Sequence, residues 1–141
     1  MMKKILVTGG SGKAGKATIN KLLEKNYDVF NVDLQDKQEL DVPFTRVDLE
    51  SFGETVEAIT QIDDRINGID AIVHQAAIPA PGLYPNHKTF RVNTLSTYNV
   101  FQSAEIMKIK NIVWASSETV LGLPFDTYPP YVPVDEDYPP R

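Results

Sequence analysis

Thr8-Gly9-Gly10-Ser11-Gly12-Lys13-Ala14-Gly15 is the segment of this 141-residue sequence that leaves the fewest folds open. Before it stands Lys4-Ile5-Leu6-Val7, short, apolar and β-branched, which with Thr8 reads as a strand (Lys4–Thr8). After it, Lys13–Lys25 carries Ala14, Ala17, Ile19, Leu22 and Leu23 at helical spacing. A strand that stops on spaced glycines and turns straight into a helix predicts the first half of a βαβ unit.

The rest of the chain repeats that alternation. Tyr27–Val32 reads as a second strand ending at Asp33, and Phe44–Val47 as a short third strand ending at Asp48. A helix is expected from about Ser51 to Arg65, with Ser51 as its cap, Glu54 completing a capping box, and Val56, Ile59 and Ile62 on the buried face. Asp70–His74 supplies a fourth strand. Beyond a loop punctuated by Pro79, Pro81 and Pro85, a long helix runs from about His87 to Met107, with Phe90, Asn93, Thr94, Thr97, Phe101 and Ala104 spaced for one face. Asn111–Ala115 reads as a fifth strand. Continuous apolar strands alternating with helices require a parallel sheet covered on both faces, so the fold expected is doubly wound α/β, of Rossmann type. Six of the ten prolines fall between Pro124 and Pro140, which divides the chain into a domain over 1–123 and an irregular tail over 124–141.

A glycine turn in this position has a chemical use. Gly9 permits a tight turn, Gly12 lets the backbone approach a pyrophosphate with no Cβ in the way, and Gly15 lets the helix pack closely. The free amides of the first turn, at Lys13 and Ala14, then face an anion with the positive end of the helix dipole behind them. Asp33 ends the second strand 18 residues after Gly15. A carboxylate there accepts hydrogen bonds from adenosine ribose hydroxyls and repels a 2′-phosphate, and Leu34-Gln35-Asp36 offers no arginine to welcome one, so NAD is favoured over NADP. Other partners are argued against by composition. A net charge of −5 without a basic run disfavours nucleic acid and anionic membrane surfaces, and no stretch approaches the roughly 20 apolar residues of a membrane span. The absence of cysteine excludes disulfides, thiolate metal sites and thiol catalysis, and suits the cytoplasm. The basic start has only Ile5, Leu6 and Val7 before Thr8 and does not read as an export signal.

Five blocks in order, Thr8 to Gly15 with Asp33, Asp48-Leu49, His74-Gln75-Ala76-Ala77, Phe90-Arg91-Val92-Asn93 and Trp114 to Gly122, make the sequence resemble the extended short-chain dehydrogenase/reductase family, in its NAD-dependent epimerase/dehydratase group. The resemblance implies that Asp48 and Leu49 contact adenine, that Ala76 and Ala77 line the cofactor, that Asn93 faces the active site, and that Ser117 is a catalytic hydroxyl. It also implies a nucleotide-sugar substrate, handled by an epimerase or dehydratase, with a sugar or sugar-acid dehydrogenase and a non-catalytic NAD-binding module as alternatives. Read from the residues alone, Ala76 and Ala77 serve equally as packing alanines, Asn93 as a helix-surface amide, and Ser116 and Ser117 as caps of a loop. His74 reads as a satisfied strand-end residue and His87 as an exposed one.

The family's catalytic tyrosine, with lysine four places on, is absent in the expected order. Tyr84 with Lys88 has the spacing but precedes Asn93 and Ser117. Pro133 to Arg141 resembles the segment that precedes that tyrosine in relatives, so the sequence is expected to be the N-terminal portion of a longer enzyme, with little or no turnover by itself. A fifth strand without a further neighbour would expose apolar surface, giving self-association as a homo-oligomer or modest stability.

Overall fold

A computed structural model describes residues 3–36, 40–60, 68–122 and 127–140. Its elements are β1 (Lys4–Thr8), α1 (Lys13–Glu24), β2 (Asp28–Asp33), β3 (Phe44–Arg46), α2 (Phe52–Thr60), β4 (Ala71–His74), α3 (Asn86–Ile106) and β5 (Asn111–Trp114), followed by a 3-10 turn over Glu118–Leu121. Among the described residues, no helix is long and apolar enough to cross a membrane.

All five strands are parallel, in the order β3-β2-β1-β4-β5. The sheet is the doubly wound α/β arrangement that the alternation requires. Successive side chains of a strand point to opposite faces. Ile5 and Val7 therefore pack on one side with Ile19 of α1 and Val29. Leu6 goes to the other side with Phe30, Val32, Val47, Leu49, Ala58, Ile59, Ile72, Val100 and Ala104, under α2 and α3. β1 is buried on both faces, as a central parallel strand must be. After β3 the chain returns across β1 to lay down β4, so its winding reverses between β1 and β4. Ligands of open α/β sheets bind at such a switch point, beyond the carboxyl ends of the strands.

Three local expectations change. The capping box is half formed: the Glu54 amide donates to Ser51 Oγ at 3.3 Å, but the Glu54 carboxylate receives the amide of Asp48 at 2.8 Å in place of Ser51's. Ser51 donates its amide to the Asp48 carbonyl instead, which explains the exchange. The face of α3 that packs is not the one marked by Phe90 and Phe101, which are exposed. It consists of Ser96, Asn99, Val100, Ser103 and Ala104, small or amide side chains that let the helix sit close to the sheet. Ile62 and Arg65, expected in α2, lie outside the described residues, as does the division expected at 123/124. Tyr138, in the expected irregular tail, is buried, with its ring edge-on to Tyr131 at 6.1 Å between centroids.

Candidate functional site at the β1/β4 crevice

The glycine turn is built so that three of its glycines are filled by protein and one is left open. Gly9 has φ +71, which L side chains rarely adopt, and a Cβ there would meet Ala76 Cα at 2.7 Å. A Cβ on Gly10 would strike Asn31 Oδ1 at 2.2 Å, and one on Gly15 would strike the Gly9 carbonyl at 2.2 Å. Gly15 thus lets α1 close onto the turn itself. Beside Gly12 the sole neighbour among the described residues is the Gly9 carbonyl, at 3.1 Å, so this glycine borders free space. Gly12 is also the residue before the first turn of α1 and provides no side-chain cap, which leaves the first-turn amides, Lys13 and Ala14 included, to a ligand. An open glycine flank beside uncapped amides fits a pyrophosphate.

Asp33 is drawn to this turn. Its Oδ2 accepts the Ser11 amide at 3.1 Å and its Oδ1 the Leu34 amide at 2.7 Å, so the carboxylate stands half-buried at the end of β2 with its orientation fixed. Next along the same edge, Asp48 follows β3, where the Val47 amide donates to the Asp33 carbonyl. Asp48 Oδ1 accepts the Glu50 amide at 3.0 Å. Leu49 has its side chain in the core, and its carbonyl accepts Asn99 Nδ2 at 2.8 Å. At this corner Asp48 and the main chain are what remain for a base to touch.

At the switch point, Thr8 and His74 lie side by side with Thr8 Oγ1 2.7 Å from His74 Nδ1. Burial pushes the His74 imidazole down to about 4, so the ring is neutral near pH 7. As expected, it is a satisfied strand-end residue. Ala76 is half-buried against the core and beside Gly9, while Ala77 is exposed. Asn93 does not stand on the helix surface with a free amide. Its Oδ1 accepts the Ile78 amide at 2.8 Å and its Nδ2 donates to the Ile78 carbonyl at 3.1 Å. Both polar atoms are spent on the loop that follows Ala76 and Ala77, so its role here is to hold that loop.

Ser117 lies just past β5, where the Ala115 amide donates to the His74 carbonyl. Its hydroxyl accepts the Thr119 amide at 3.3 Å and lies 2.7 Å from Thr119 Oγ1, capping the 3-10 turn. Thr119 was not singled out in the sequence, and neither was Asn99. The signal for Asn99 was its position one turn from Ser96 and Ser103 on a face with few large apolar residues. Tyr84 and Lys88 do come together, with the ammonium 4.1 Å from the ring centroid. They form a cation–π pair between the exposed loop before α3 and the first turn of that helix.

Known proteins are similar to this chain in sequence and in fold. A model of the NAD dependent epimerase/dehydratase family matches residues 5–140. The UDP-glucose 4-epimerase of Mus musculus is 30% identical over 98% of this chain and 43% of its own length. The UDP-glucose 4-epimerase of Bifidobacterium longum, whose crystal structure is in complex with NAD+ and UDP, superposes with a TM-score of 0.82 at 25% identity, covering 99% of this chain and 43% of that one. A short-chain dehydrogenase/reductase superfamily protein of Agrobacterium tumefaciens with bound NAD has a TM-score of 0.77 at 26% identity, over 98% of this chain and 39% of that one. The chain thus spans less than half the length of the relatives it matches. With the family match running over nearly all of its residues, the chain belongs to the NAD dependent epimerase/dehydratase family.

Proposed function

We propose that this chain is the NAD-holding portion of an enzyme that acts on a nucleotide sugar, of the UDP-glucose 4-epimerase activity class. The observation that carries the reading is the pairing of the open Gly12 flank with the fixed Asp33 carboxylate on either side of Ser11. Gly9, Gly12, Lys13, Ala14 and Gly15 would hold the pyrophosphate, Asp33 the adenosine ribose, and Asp48 with the Leu49 main chain the adenine. Ala76 and Ala77 would border the nicotinamide half. When bound, NAD supplies a two-electron acceptor for a sugar carbinol. The chain's own residues bind and orient it: Asn93 keeps the 76–78 loop in place, and Ser117 offers a hydroxyl at the carboxyl edge of β5.

The preference for NAD over NADP rests on charge, since Asp33 would face a 2′-phosphate across a short distance. The 141 residues contain no tyrosine with lysine four places on in the family's order, so this chain alone should bind cofactor without measurable turnover. The reading also carries a cytoplasmic setting and a homo-oligomer, the latter supported by the apolar flank of α3 and β5. The test is an NAD titration followed by amide NMR. Shifts confined to 9–15, 33–34, 48–49 and 76–78 are expected, and shifts centred elsewhere would remove these residues from the site.

A further inference from the structure

Below the crevice, Thr8, His74 and Thr97 form a hydrogen-bonded row whose direction follows from valence. Thr8 Oγ1 accepts the Ala76 amide at 3.3 Å and a share of the Gln75 amide at 3.2 Å, which also reaches the Thr8 carbonyl. Its acceptor capacity is taken, so its own proton goes to His74 Nδ1. A nitrogen that accepts is unprotonated, and a neutral ring then carries its hydrogen on Nε2. That nitrogen lies 3.2 Å from Thr97 Oγ1, which in turn donates to the Asn93 carbonyl at 2.8 Å. The opposite tautomer would leave the Thr8 hydroxyl proton facing another donor. An imidazolium would do the same, and its side-chain partners, Thr8 and Thr97, carry no charge to offset it.

The two ends of the row grip one segment. Thr8 holds the amides at its start, and Asn93, in the turn of α3 that Thr97 closes, clamps both main-chain groups of Ile78. We propose that His74 is a positioning residue which, as a neutral ring protonated on Nε2, locks β1 to α3 and thereby sets the conformation of residues 75–78 along the crevice. The geometry stands independently of any ligand, while the consequence for cofactor affinity rests on the NAD reading.

The experiment uses the full chain, labelled with 15N. Long-range proton–nitrogen correlation should show His74 protonated on Nε2 and bare on Nδ1, unchanged from about pH 8 to about pH 5. His74→Phe fills the slot without hydrogen bonds, and His74→Gln returns one acceptor and one donor. In His74→Phe, exchange of the Ala76 and Ile78 amides should accelerate about tenfold and NAD should bind about tenfold more weakly, with both recovering most of the way in His74→Gln. Should His74→Phe fail to fold, Thr97→Val against Thr97→Ser reads the far end of the row by the same two measurements. Protonation of Nδ1 in the native chain overturns the proposal. So do native amide exchange in the Phe or Val variants and equal losses in the conservative pairs. If the native chain binds no NAD while the tautomer and exchange results hold, the proposed function fails and the positioning role stands.

Discussion

β1 and β5 belong to one sheet and are treated in opposite ways. β1 is paired on both edges and buried on both faces, and its carboxyl end runs into a turn where Gly9, Gly10 and Gly15 are each in contact tight enough to exclude a methyl group. Among the described residues β5 pairs only with β4, with Val113 67% exposed and Trp114 51% exposed. Phe101 meets Trp114 edge-on at 5.8 Å between centroids, and Tyr98, Phe101, Ile109 and Ile112 help line a shallow depression of about 350 Å³ on this flank. This depression is remote from the crevice and is mainly apolar surface. The comparison teaches that the glycine-turn end of the sheet is tightly packed within the chain and the β5 flank is exposed.

The largest expected effect breaks the comparison at its centre. Ile72 is fully buried between β1 and β5, and Ile72→Ala should cost about 2–5 kcal/mol in urea unfolding. A cost under about 1 kcal/mol would mean that the centre of the sheet is no better packed than its flank.

The strands and the glycine turn were legible because each is encoded locally. β1 matches its expected bounds, and the other strands differ by one residue at one end or, as with Tyr27–Val32 against Asp28–Asp33, at both. The NAD-type turn was legible because positive φ at Gly9 and the missing Cβ at Gly12 are properties of the residues themselves. The buried face of α3 was not. Ser96, Asn99 and Ser103 pack because of what they meet, and Asn99 finds the Leu49 and Glu50 carbonyls some fifty positions back in the chain. Hydrophobic periodicity has no term for a buried amide satisfied from so far away. The same holds for the row through His74, whose partners lie on β1 and α3. Asn93 and Ser117 were located by resemblance, but their present partners, Ile78 and Thr119, show them holding main chain.

Acid should sharpen the comparison next. An unfolded His74 titrates near its ordinary 6.5, whereas the folded ring is held down to about 4. Below pH 6.5 the unfolded chain takes up a proton that the native chain refuses. The contribution is therefore fully present above about pH 6.5 and is lost as pH falls through about 4, by on the order of 3 kcal/mol. Unfolding free energies across this range should show that loss in the native chain, and His74→Gln should lack it. An equal loss in both would place the acid sensitivity elsewhere.

Smaller changes follow at the site and on the flank. Asp33→Ala should weaken NAD by about 1–3 kcal/mol in calorimetry, through the lost charged hydrogen bonds. An unchanged affinity would take Asp33 out of the ribose position. Val113→Thr, on the exposed strand, should change stability by less than about 0.5 kcal/mol while reducing self-association seen by sedimentation. A loss of 2 kcal/mol or more, on the scale of a buried aliphatic, would mean that the flank is covered within the single chain.

The central claim, that the glycine turn with Asp33 makes a site for NAD, is tested most directly by isothermal titration of this chain with NAD and with NADP under identical conditions. The account predicts saturable binding of NAD, with NADP at least about tenfold weaker because of repulsion between the Asp33 carboxylate and the 2′-phosphate. Equal or tighter binding of NADP, or no binding of either, would contradict it.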